Sequence, residues 1–129
     1  MLIDNDSGAG EVFKEAIKCG AVGMALTSIE PFYRLVDNLY LVKTPEIGEL
    51  GVSCIENLFD PDLLKEKVDG LEFDLAKKHK ASGKYGKQVF AEKVVKPKVD
   101  KIAFEGFAPL LNRIVAVTDD YAASPSTVP

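Results

Sequence analysis

The sequence is poor in residues that staple or ligate. It has two cysteines, Cys19 and Cys54, and one histidine, His79. Two thiols so far apart make no disulfide framework, and with a single imidazole they make no zinc site. They are expected to fill apolar space in a reducing, cytoplasmic compartment. His79 sits among lysines and reads as a surface residue. Arginine is represented by Arg34 and Arg113 alone, which argues against forked recognition of base edges. No apolar run approaches the roughly 20 residues that a membrane helix needs. Asp4 and Asp6 follow the first apolar residues at once, so neither a signal peptide nor a membrane partner is expected.

What is present suits one domain. The 129 residues are 47% hydrophobic and 28% charged, enough to bury a core without staples. The formal net charge of −4 hides an asymmetry. Nine lysines between 77 and 101 face only Glu92 and Asp100, so that stretch carries +7 and the remainder −11. A basic segment on an acidic body is a candidate phosphate-binding surface, with Lys80, Lys84 and Lys87 as candidate nucleic-acid contacts. The same run also suits a solvated helix face.

Residues 1–4 read as the end of a short buried strand, and 5–10 as a turn. A helix is expected from about Glu11 to Lys18, with Val12, Phe13, Ala16 and Ile17 inward and Gly20 as its cap. The run 21–30 is ambiguous. Phe32–Val36 and Leu39–Lys43 flank Asp37-Asn38 and predict a hairpin. Residues 45–51 read as a loop, and 53–59 as a short helix. Asp60 caps the next helix, with Pro61 at its first position. Lys67-Val68 and 71–75 around Asp69-Gly70 predict a second hairpin. A lysine-rich loop over 76–86 leads to a helix near 88–96, ended by Pro97. A last helix over 107–120 should bury Leu110, Leu111, Ile114, Val115, Val117 and Tyr121. Residues 1–121 are expected to form the domain and 122–129 a flexible tail. The element order indicates an α/β or α+β domain.

Asp4-Asn5-Asp6 follows a strand and precedes a glycine-containing turn and a helix. Alternation along an extended chain lets Asp4 and Asp6 converge on one ion. Carboxylate oxygens suit Mg²⁺, which takes one or two carboxylates plus water and phosphate. Ligands in open α/β sheets bind outside the carboxyl ends of strands, as here. The same spacing also suits an Asx-turn with a helix cap. The run also resembles the start of a calcium-binding loop. Residues 82–87, Ser-Gly-Lys-Tyr-Gly-Lys, are not a phosphate loop. The four-residue gap between glycines is missing and Gln88 replaces Ser or Thr. Glu56, between Ile55 and Leu58-Phe59, reads as an acid at the core edge in need of a partner, or as an exposed helix residue.

Leu2-Ile3-Asp4-Asn5-Asp6-Ser7-Gly8 resembles the second acidic motif of Toprim domains. Four downstream runs are more particular: Asn38–Pro45, Ile55–Phe59, Tyr85–Val95 and Phe104–Leu111. Together they are similar to the Toprim-like carboxy-terminal extension of certain retron reverse transcriptases, which are RNA-directed DNA polymerases. The resemblance spans roughly residues 1–117. It implies a four-stranded, mostly parallel sheet flanked by helices, truncated at its amino end and carrying β-hairpin additions. It also implies nuclease-like, Mg²⁺-dependent phosphodiester chemistry. By match, Asp4 and Asp6 are the metal carboxylates, Glu56 a later acidic position and Lys87 a lysine that offsets phosphate charge. The family's upstream glutamate is absent from the chain, so the segment alone is expected to be inactive. Its implied partners are nucleic acid and the polymerase domain of a parent chain. The alternative is a non-catalytic module that holds nucleic acid or protein through its lysines.

Overall fold

The computed structural model describes residues 1–6, 8–18, 30–47, 53–75 and 82–124. Among these the chain is α/β. In order its elements are β1 (Leu2–Ile3), α1 (Ala9–Lys18), β2 (Phe32–Val36), β3 (Leu39–Lys43), α2 (Pro61–Leu64), β4 (Glu72–Phe73), β5 (Lys84–Tyr85), α3 (Lys87–Val89) and α4 (Ala108–Ala123). The chain divides into two compact units. The first holds Met1–Ile55 with Ala108–Pro129, the second Glu56–Phe107.

The first unit is built on β3. The two-residue turn Asp37-Asn38, with Asp37 at φ 41°, folds β2 back antiparallel onto it. β1 adds on the other edge, parallel, with Leu2 opposite Val42 and Ile3 opposite Lys43. This three-stranded sheet is therefore mixed, where the resemblance implied a mostly parallel one. A hairpin that tight leaves its second strand no other direction. Alternation along β3 sends Leu41 to the α1 face, where it joins Ala9, Phe13, Ala16 and Tyr33. Tyr40 and Val42 face the opposite way, with Ile114 and Val117 of α4. Tyr40 Oη donates to Asp120 at 2.7 Å, and Leu110 is buried.

Two helices bury less than their patterns promise. Ile17 is half exposed, as are Leu111, Val115 and Tyr121, with Ile114 nearly so. A helix resting on a narrow sheet touches it along one stripe, so the flanks of a broad apolar face stay wet. α4 also runs through Ala122 and Ala123, which were expected in the tail. Gly20 and Cys19 lie outside the described residues, as do 21–29, 48–52 and 125–129. No described helix is long and apolar enough to cross a membrane.

The second unit packs around Tyr85, Phe90 and Val94, ringed by Phe59, Leu63 and Phe73. Phe73 stacks on Phe90 at 4.4 Å between ring centres, and Phe59 meets Phe107 edge-on at 4.9 Å. Asp60 caps α2 as expected, accepting from the Asp62 N–H at 2.8 Å. The second hairpin shrinks to one bridge, Val68 with Leu71, across Asp69 (φ 51°) and Gly70 (φ 77°). Beyond it β4 instead pairs with β5, parallel. The tight turn forms, but Phe73 and Tyr85 stack on each other and draw the strand to a different partner. β5 thus falls within the expected lysine-rich loop, of which 76–81 lie outside the described residues.

Pro97 does not end the helix. α3 widens into a π turn over Phe90–Val95 and tightens into a 3₁₀ turn over Lys96–Lys101. Proline offers no N–H and crowds the carbonyl one turn back. The Lys96 N–H reaches five residues back, to Ala91 O, and the widened turn accommodates the ring. Gly106 fits where no side chain can. A Cβ there would fall inside contact distance of the Leu58 carbonyl oxygen, a backbone atom. Gly106→Ala is expected to destabilise the protein by about 2 kcal/mol or more, read as a lower urea midpoint in far-ultraviolet circular dichroism.

Candidate functional site

In the first unit the carboxyl ends of β1 and β3 carry a buried polar layer. Asn5, Lys43, Thr44 and Ser53 are each at most 3% exposed. Such groups are costly to bury unless bonded, and the backbone supplies the bonds. Asn5 and Ser53 exchange N–H···O bonds of 2.7 and 2.9 Å. Thr44 donates its N–H to Ile3 O at 2.9 Å, and Ser53 Oγ donates to Pro45 O at 2.6 Å.

This layer orients the two aspartates. Asn5 is bridged to Ser53 and buried, and Asp4 and Asp6 flank it, each partly buried. Asp4 Oδ1 accepts from the Ile55 N–H at 3.0 Å. Asp6 Oδ1 accepts from the Gly8 N–H at 2.8 Å, the Asx-turn that the spacing allowed, just before α1. Each carboxylate thus accepts a bond from the backbone. Among the described residues no group of three or more His, Cys, Asp or Glu side chains is gathered to hold a metal. The pair nonetheless fits Mg²⁺, whose usual site is one or two carboxylates completed by water and phosphate oxygens.

Lys43 is the residue that sequence reasoning missed. It ends β3 and is only 2% exposed, with its ammonium 5.9 Å from the centre of the Phe13 ring. Burial pushes its pKa down, partly countered by Glu46, while Arg113 depresses it further. Arg113 donates to the Lys43 carbonyl at 2.8 Å, and burial lowers its pKa too. The Tyr33 hydroxyl is buried with no hydrogen-bond partner among the described residues. The one signal for Lys43 was a lysine closing the apolar run Leu39-Tyr40-Leu41-Val42, which equally suits an exposed strand end.

In the second unit Glu56 and Lys87 come together. Lys87 Nζ lies 2.9 Å from Glu56 Oε2, and the Glu56 side chain is 12% exposed. Glu56 sits in the 3₁₀ turn Ile55–Leu58, and Lys87 opens α3 behind Gly86. Burial makes such a pair stronger than a surface one and costlier to break. Lys84 donates to Glu72 at 2.7 Å, which holds the Glu72 carboxyl below its usual range and raises the Lys84 pKa. Lys98 pairs with Glu66. Lys80 and His79 lie outside the described residues, and Cys54 is buried as expected.

The depressed pKa of Lys43 has a consequence for stability. The unfolded chain holds that proton more tightly, so stability rises with pH until the unfolded lysine itself titrates near 10.5. Lys43→Met removes that rise. Its unfolding free energy relative to wild type is expected to be most favourable at neutral pH and to decline toward 10.5. Urea melts at several pH values check this, and a difference independent of pH contradicts it.

No family model matches the chain, and no solved structure matches it.

Proposed function

We propose that the chain is the Toprim-like domain of a retron-type reverse transcriptase, and that it serves Mg²⁺-dependent cleavage of nucleic acid in that larger protein. One observation carries the reading. Asp4 and Asp6 follow the carboxyl end of a parallel strand, and each accepts from a backbone N–H. Bound there, Mg²⁺ supplies charge for a phosphoryl oxygen and a site for an attacking water. The chain's own contribution is to hold two carboxylates in place before the ion arrives, at the usual ligand position of an α/β sheet. The resemblance assigns Lys87 to offset phosphate charge. Its pairing with Glu56 holds that ammonium in place.

A reading without chemistry has its own support. Lys93, Lys96 and Lys101 are exposed along 87–101 and form no ion pair among the described residues. They suit a grip on a phosphate backbone. Cleavage and binding, measured separately in the full reverse transcriptase, distinguish the two. Asp4→Ala is expected to lower Mg²⁺-dependent nicking by roughly 100-fold or more while leaving nucleic-acid binding intact. Unchanged nicking in that variant rejects the catalytic reading.

A further inference from the structure

The second unit contains an open cavity of about 300 Å³ that the cleavage reading does not use. Its wall is mostly apolar, formed by Leu63 of α2 and by Ile102 and Ala103, which follow the 3₁₀ turn. Lys98, Lys101, Asp60 and Asp62 complete the lining. A 3₁₀ helix has three residues per turn, so side chains three apart eclipse, and Lys98 and Lys101 stack along one face. The Lys98 charge is matched by Glu66, and that of Asp62 by Lys65 at 3.1 Å. Lys101 forms no ion pair among the described residues. Ile102 turns extended (φ −78°, ψ 131°), which carries Ile102 and Ala103 out of the helix to close the cavity's end.

We infer that this cavity takes a single unstacked base of a nucleic-acid strand, with Lys101 on the phosphate beside it. The chemistry of the wall selects such a ligand. Its faces must be apolar to lie against Leu63 and Ile102. Its edge must offer N–H groups to Asp60, and it must carry an anion for the uncompensated lysine. A base with its phosphate has all three. The volume stands at the small end of ligand pockets, enough for one ring system. The inference rests on the proposal that nucleic acid is the partner, and it adds where an individual base is held. Among the described residues no aromatic side chain lines the cavity, so a base held there is removed from stacking.

That last point gives the test. A single-stranded oligonucleotide bearing one 2-aminopurine is titrated with the 129-residue chain, beside an identical strand with an abasic position. The 2-aminopurine emission, quenched by stacking, is expected to rise on binding, and the abasic strand to bind about tenfold more weakly. Ala103→Phe, at an exposed position, fills the cavity and should abolish the rise and remove the difference between the strands. Lys101→Glu should weaken the 2-aminopurine strand by about tenfold at low salt. Circular dichroism of both variants confirms that they fold. Equal binding of the two strands without a change in emission overturns the base pocket and leaves a plain lysine grip. Binding of neither strand overturns the pocket and the nucleic-acid reading together.

Discussion

The parallel seam between β1 and β3 is the constraint on which the first unit's chemistry depends. β1 has two residues, and by itself such a strand has no stability. It exists because Val42 and Thr44 donate to Met1 O and Ile3 O, and because Ser53 then receives Asn5 on the far side of the seam. Those bonds set the register that buries Asn5 and leaves Asp4 and Asp6 partly buried on either side of it. A slip of one residue would move Asn5 out of that buried layer. The buried layer of Thr44, Ser53 and Asn5 is thus the clamp that fixes where Asp4 and Asp6 point, and it holds without any side-chain ion pair of its own among the bonds described.

Much of this was legible in the sequence where local chemistry decides structure. The hairpin at Asp37-Asn38 formed at its expected boundaries, because a two-residue turn between β-rich runs leaves few alternatives. The α2 cap at Asp60 followed from Asp-Pro at a helix start. Of the stripe Val12, Phe13, Ala16 and Ile17 expected to face inward on α1, Phe13 and Ala16 are buried while Ile17 stays half exposed. The pairing of β4 was not legible. Val68 and Leu71 closed the turn their sequence called for, but Phe73 is settled by stacking on Tyr85 and Phe90, contacts between residues distant in the chain.

Pro97 and Lys43 show two further limits. Proline marks where an α-helical ladder must break, yet a chain can pass it by changing helical pitch, and a core of Phe90 and Val94 gives it reason to do so. A lysine after four strand residues reads as solvent-facing. Its burial depends on what α1 and α4 place around the end of β3, and neither helix is adjacent to it in sequence. The aspartate pair was visible because the turn that follows it is local. The approach of Lys87 to Glu56 depends on the packing of α3 and lay beyond any periodicity. The resemblance to Toprim-like domains named both residues without giving their distance.

The distribution of tyrosine makes the two units separately observable. With no tryptophan in the chain, ultraviolet emission comes from four tyrosines. Tyr33, Tyr40 and Tyr121 belong to the first unit, and Tyr85 alone to the second. Tyr85 is 4% exposed and its hydroxyl is bonded to the Glu66 carbonyl. Burial raises its pKa, so its phenolate forms late in the folded protein. A phenylalanine at that one position would silence the second unit, and the spectral difference between the two proteins would isolate a single chromophore in its aromatic core. Whether the units come apart in one transition or in two is thereby written in the absorbance of one ring.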